Sequence, residues 1–201
     1  MGAGKGTATK ILKDILYPGS PSFRFSDALR EFYSWLRESF LASHTSLSLP
    51  EHASTKDLQD LSTKIRGLFG ENSLERAIVL RAERCLAPSP IMIIEGIRRP
   101  ADIGILMHDP QYHFYLVYIE ADPRIRWERH RARNEKRGDA DLTFERFIEL
   151  GQAETEMEIR SLRPQAHLVV DNSDSILHMA NVLWATFDKL LQEEHTRALD
   201  L

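Results

Sequence analysis

The sequence predicts an α/β domain on a parallel sheet with helices on both faces, and three observations carry that expectation. Short apolar runs rich in β-branched and aromatic residues alternate with longer segments of helical period. A glycine-rich stretch, Gly2-Ala3-Gly4-Lys5-Gly6-Thr7, stands directly ahead of the first helical segment. Charged residues close several of the apolar runs, at the strand ends where open α/β sheets bind their ligands.

Taken in order, Lys5 to Leu16 reads as a helix stopped by Pro18-Gly19, and Ser22 to Phe25 as a weak strand. Ser26 or Asp27 can cap a second helix with Leu29, Phe32, Tyr33, Leu36 and Phe40 on one face. Ala42 to Ser54, rich in Ser and His, reads as a loop. Thr55 can cap a third helix with Leu58, Leu61, Ile65 and Leu68 inward, and Ser73 a fourth running to about Leu86. Ile91 to Glu95, Phe114 to Glu120 and His167 to Asp171 are the clear strands. Helices are expected over Asp122 to Lys136, Asp141 to Leu162 and Ser175 to Glu193. The charged stretch Asn134 to Asp141, between two helices, has the character of a mobile lid.

The chain has 201 residues, the size of one ordinary domain, with 42% apolar and 28% charged residues. A net charge of −4 argues against a general nucleic-acid or anionic-membrane binder. No apolar run approaches the roughly 18 residues of a membrane span, and the start of the chain lacks a signal peptide's apolar stretch. The single cysteine, Cys85, excludes an internal disulfide and reads as a small hydrophobe on a helix. The 8 histidines show no His-x-x-x-His or Cys-His spacing, so no structural metal site is expected. Trp35, Trp127 and Trp184 lie in helical segments and read as core. A cytoplasmic location is expected, and a homo-oligomer is compatible with the sequence.

Gly4-Lys5-Gly6-Thr7 supplies the second half of a phosphate-binding loop, whose full pattern is Gly-x-x-x-x-Gly-Lys-[Ser/Thr] after a strand. Its glycines let backbone N–H groups turn toward phosphates, its lysine bridges the outer phosphates, and the helix start adds partial positive charge. The first glycine and the strand before it fall ahead of Met1, so the expected sheet lacks its first strand. An upstream start, trimming, or a natural remnant would each account for this, and the segments that follow favour the first. A flexible glycine-rich terminus that merely resembles the motif is the bland alternative.

Two further segments follow in order. Phe25-Ser26-Asp27-Ala28-Leu29-Arg30 comes first, and Ile93-Ile94-Glu95-Gly96-Ile97-Arg98-Arg99-Pro100 closes a strand later. With them the chain resembles the P-loop nucleoside monophosphate kinase clan, which includes adenylate kinases and dephospho-CoA kinases. Asp27-Ala28-Leu29-Arg30 matches the Asp-x-Leu-Arg element of adenylate kinases, and Glu95-Gly96-Ile97-Arg98-Arg99 matches Asp-Gly-x-x-Arg with Glu in place of Asp. Most similar is a largely archaeal family of dephospho-CoA-kinase-like nucleotide kinases, in which a strand ending in Asp-Gly-Ile-Arg precedes a small helix.

The resemblance implies a P-loop NTPase three-layer fold in one domain, with an acceptor-binding helical region at about 26–86 and a lid at about 134–141. It implies ATP and Mg2+ as cofactors and a small nucleotide substrate. Gly2, Ala3, Gly4, Lys5, Gly6 and Thr7 would hold the donor phosphates, with Thr7 on magnesium and Glu95 organising its waters. Asp27, Arg30, Arg98 and Arg99 would bind the acceptor. An N-cap role for Asp27 and a solvated turn for Arg98 and Arg99 are the bland alternatives.

Arg126, Arg129, Arg133 and Arg137 form one stripe on a helix, and like charges at this spacing call for a negative partner. Nearby acids such as Glu128 and Glu135 are one answer, a triphosphate the other. Nucleotide kinases place lid arginines here, which favours Arg129 and Arg133 as catalytic cations beside Lys5. The expected function is therefore ATP-dependent transfer of a phosphoryl group to a nucleotide or similar acceptor. A nucleotide-binding scaffold of kinase descent is the second expectation, and an RNA or DNA partner for the arginine helix the least favoured. Asp171-Asn172-Ser173, where the clan holds the base of ATP, reads as an ordinary strand-to-helix turn.

Overall fold

The computed structural model describes residues 2–42, 50–85, 91–133, 141–152 and 154–199. Most of the expected lid and of the Ala42 to Ser54 loop, with Arg137, lie outside them. The described chain is a mixed α/β structure with parallel strands. It divides into two compact units, one of residues 1–19 and 115–201 and one of residues 20–114. Each unit holds one two-stranded parallel sheet.

In the first unit, helix α1 (Lys5–Ile11) leads into a turn of π-helix (Leu12–Leu16). Strand β3 (Val117–Glu120) pairs in parallel with β4 (Leu168–Asp171), Val117 opposite Leu168 and Glu120 opposite Asp171. Between them run α6 (Pro123–Arg133), α7 (Phe144–Leu150) and α8 (Glu154–Ser161), and α9 (Ile176–Leu199) follows β4. The core joins Ala8 and Ile11 of α1 to Val170 of β4 and to Met179 and Leu183 of α9, all buried. These positions sit at helical spacings on α1 and α9, so each helix buries one stripe and leaves the rest to water.

In the second unit, β1 (Ser22–Arg24) pairs in parallel with β2 (Ile93–Glu95). Helices α2 (Phe25–Ala42), α3 (Thr55–Phe69), α4 (Ser73–Glu83) and α5 (Gly104–His108) complete it, with a 3-10 turn at Pro100–Asp102. Phe23, Phe25, Leu29, Leu58, Leu74, Ile78 and Ala82 form its core. Beneath them Arg66 and Asp102 make a buried ion pair at 2.6 Å. Buried Glu75 of α4 accepts the backbone N–H groups of Ile105 and Leu106 at 2.8 and 2.9 Å, satisfying amides at the start of α5.

All four expected strands form, one or more residues shorter than read. The helices bring corrections. The segment Asp141 to Leu162 is two helices, because the chain breaks at Gly151-Gln152, where glycine disfavours helix and Arg160 captures the Gly151 carbonyl at 3.0 Å. Helix α2 starts at Phe25, so Ser26 and Asp27 lie in its first turn and do not cap it. Burial of Phe25 (5% exposed) takes the chain from strand straight into helix. Ser54, not Thr55, caps α3, in a reciprocal capping box with Asp57. Asn72, not Ser73, occupies the N-cap of α4, without a side-chain bond. Leu68 and Phe32 are exposed, as are Trp35 (59%) and Trp184 (55%), so neither tryptophan is core. Cys85 is exposed in the turn after α4. No helix among the described residues is long and apolar enough to cross a membrane.

Candidate functional site

In the first unit the glycine loop folds back on the end of β4 and on α6. Gly2 and Gly4 have left-handed φ of 73° and 96°, values that only glycine adopts without strain. A Cβ on Gly2 would come under 3.0 Å from the Arg126 carbonyl, and one on Gly4 under 3.0 Å from Asn172 Nδ2. Both glycines therefore meet a conformational and a steric requirement. Gly4 is the N-cap of α1 without a side-chain cap. Its carbonyl accepts the N–H of Ala8 at 3.0 Å. A helix start with no capping side chain can take an anion in its place. Lys5 and Gly6 of the first turn are exposed, and Thr7 is half-buried.

Asn172 organises this corner. It is buried (3% exposed) and its Nδ2 donates to the Ala3 carbonyl at 2.9 Å. Its own N–H donates to the Glu120 carbonyl at 2.7 Å, and its carbonyl accepts Arg129 Nη1 at 2.7 Å. A second Arg129 nitrogen reaches the Asp174 carbonyl at 3.4 Å. Arg129 is thus tied to the turn after β4, while Arg133 is exposed at the end of α6. The side chain of Arg126 lies over the Phe147 ring, 5.7 Å from its centroid. Glu128 of the same helix pairs with Arg124 at 3.6 Å.

The carboxylates at this strand end are held as anions. Arg163 donates to both oxygens of Glu120, at 2.8 and 2.9 Å, and this lowers the Glu120 pKa below the usual carboxylate range. Asp171 accepts the Ser173 hydroxyl at 2.5 Å and the Ser173 N–H at 2.9 Å, which lowers its pKa likewise. Burial raises the pKa of Tyr118, two residues before Glu120 on β3.

The second unit holds the other expected residues. Asp27 is half-buried, and Arg30 is exposed one turn further along α2. Arg24 pairs with Glu95 across the strand register, its Nε donating to Oε1 at 2.5 Å. Glu95 is therefore already neutralised on that oxygen. Beyond it Gly96 has a left-handed φ of 85° with nothing nearer its absent Cβ than 3.6 Å. Asp102 Oδ2 accepts the backbone N–H groups of Arg98 and Arg99 at 3.0 and 3.1 Å. The Arg66–Asp102 pair thus fixes the turn from which both arginine side chains project. Among the described residues no hydrogen bond or ion pair joins Asp27 or Arg30 to either arginine.

The sequence motifs overlooked Asn172, Arg66 and Asp102. The Asp171-Asn172-Ser173 turn was visible, but nothing in its local spacing points to a partner at Ala3.

Compared with known proteins, the chain is 24% identical over 173 residues to a UPF0200 protein of Thermococcus gammatolerans, covering 85% of this chain and 82% of that one. No family model matches it. Among solved structures it is similar to TT1252 from Thermus thermophilus, with a TM-score of 0.56 and 18% identity over 94% of this chain and 93% of that one. The chain shares the mixed α/β fold of that structure.

Proposed function

We propose that the chain is an ATP-dependent phosphotransferase of P-loop nucleotide-kinase type, acting on a nucleotide or similar small phosphorylated acceptor. The observation that carries this reading is the glycine loop: two left-handed glycines walled by Asn172 and Arg126, leading into a helix start without a capping side chain. That arrangement suits the phosphates of ATP. Lys5 would counter charge on the phosphoryl group in flight, and Thr7 would bind magnesium. Bound ATP supplies the phosphoryl group, and magnesium neutralises part of its charge. Arg133 would add a cation, while Arg129 would hold the turn after β4 in place. Asp27, Arg30, Arg98 and Arg99 would bind the acceptor, with the latter two presented by the Asp102-locked turn. The ion pair with Arg24 competes with a magnesium-shell role for Glu95.

That same ion pair favours a second reading, a nucleotide-binding scaffold with little transfer activity. Titration with ATP and magnesium, beside a transfer assay over nucleoside monophosphates and dephospho-CoA, separates the two. Transfer to at least one acceptor is expected, reduced on the order of 100-fold by Lys5→Ala. Binding without transfer to any acceptor would leave the scaffold, and transfer untouched by Lys5→Ala would remove the loop from the mechanism.

A further inference from the structure

Within the first unit, α6, α7, the turn after α7 and Arg160 of α8 line a pocket of about 190 Å³, with Pro123, Arg126, Phe147, Gly151 and Gln152 among its walls. One water needs about 10–15 Å³ of such space, so a tetrahedral oxyanion with part of its parent molecule has room. Among the described residues the lining contains two guanidinium groups and an amide, and no carboxylate. Arg126 Nε is fully buried with no hydrogen-bond partner. Arg160 spends Nη2 on the Gly151 carbonyl at 3.0 Å and lays Nη1 3.8 Å from the Met157 sulfur.

A third guanidinium, Arg163, completes a cationic cluster with these two around Tyr118, whose ionisation all three favour. Arg163 is neutralised by Glu120. Among the described residues neither Arg126 nor Arg160 has an ion pair of its own. Buried donors are ordinarily satisfied, so an unpartnered guanidinium nitrogen beside a cavity marks a missing acceptor. Two guanidinium forks in one pocket match the charge and the several oxygens of a phosphate dianion better than a single carboxylate.

We propose that this pocket is an oxyanion subsite for a phosphoryl group, with Arg126 and Arg160 as donors and the Phe147 ring as its apolar wall. The subsite stands whether or not the phosphotransferase reading holds. Arg126 also links the two regions, because its carbonyl walls Gly2 while its side chain faces the pocket.

The test uses the full chain carrying Lys5→Ala, which removes the contribution of the glycine loop. Inorganic phosphate is titrated calorimetrically against chloride at matched ionic strength. Saturable phosphate binding is expected, weakened at least tenfold by Arg126→Met, which keeps an apolar stem over Phe147. Arg126→Lys, which keeps the charge and loses the fork, should weaken it severalfold with an unchanged melting temperature, so that a folding defect in the first variant does not decide the matter. Displacement of phosphate by AMP would identify a nucleotide phosphate as the occupant, and phosphate binding beside saturating AMP would identify the free ion. Phosphate affinity unchanged in both Arg126 variants, or an equal response to chloride, overturns the proposal.

Discussion

In the first unit the paired strands end on Glu120 opposite Asp171, two carboxylates, and in the second they end on Arg24 opposite Glu95, an ion pair. Left-handed glycines stand near both ends, yet a Cβ on those of the loop would collide with a neighbour while one on Gly96 would make only ordinary contacts at 3.6 Å or more. Like charges in register repel, so the first unit has to recruit outside partners, and Arg163 and Ser173 meet that need. The second unit neutralises itself across the ladder. One end is thus held by partners from outside the ladder and is sensitive to them. The other is closed within the ladder itself.

The sharpest way to break this contrast is to add a methyl group at each glycine. Gly4→Ala combines left-handed strain, about 1–3 kcal/mol, with a collision against Asn172, and it should abolish ATP binding as well as lower stability in chemical denaturation. Gly96→Ala meets only ordinary van der Waals contacts, 3.6 Å away at the nearest, and should cost the strain of φ alone, about 1–3 kcal/mol, without the collision. Equal losses at the two positions would erase the distinction. Next in size, Asn172→Ala leaves the Ala3 carbonyl without its buried donor, a loss of about 1–3 kcal/mol. Amide exchange should quicken in residues 2–8 and stay unchanged at β1 and β2.

Smaller effects separate the charges. Arg24→Ala removes a partner that is itself 54% exposed, and should change stability by less than about 1 kcal/mol. Glu120 and Asp171 have folded pKa values below their ordinary ones. Each carboxylate therefore contributes stability that is present above its unfolded pKa and lost as pH falls through its folded pKa. Melting temperature should drop between about pH 5 and pH 2. Arg163→Ala, which frees Glu120, should flatten that slope, and a slope unaltered by it would assign the acid sensitivity elsewhere.

The strands and most helices were legible because each announces itself within a few residues, through an apolar run or a periodic stripe. The starts of α2, α3 and α4 were misplaced by one to three residues, since several capping residues stand side by side and packing chooses among them. Exposed Trp35 and Trp184 were misjudged because an aromatic at helical spacing does not say whether anything covers it. Of the candidate site, the glycine loop and the arginines were visible, but what makes them a structure was not. The bond from Asn172 to Ala3 spans 169 positions, and the Arg66–Asp102 lock joins residues 36 apart. Neither pair carries a local pattern that a sequence motif could register.

The π-helical turn at Leu12–Leu16 acts as a phase shifter for the glycine loop. In continuous α-helix Leu16 would lie about 140° round the axis from Ile11, off the buried stripe. The wider winding, closed by the Tyr17 N–H on the Leu12 carbonyl at 2.8 Å, brings Leu12 and Leu16 onto the same core as Ala8 and Ile11. The angle at which α1 presents Lys5 is thereby set from its far end. Deleting one residue between Leu12 and Leu16 would leave Leu16 four residues, about 40° round the axis, from Ile11 in ordinary helix, so the seam would survive. The wide turn lets the chain carry one extra residue there without rotating α1 and the Lys5 it presents.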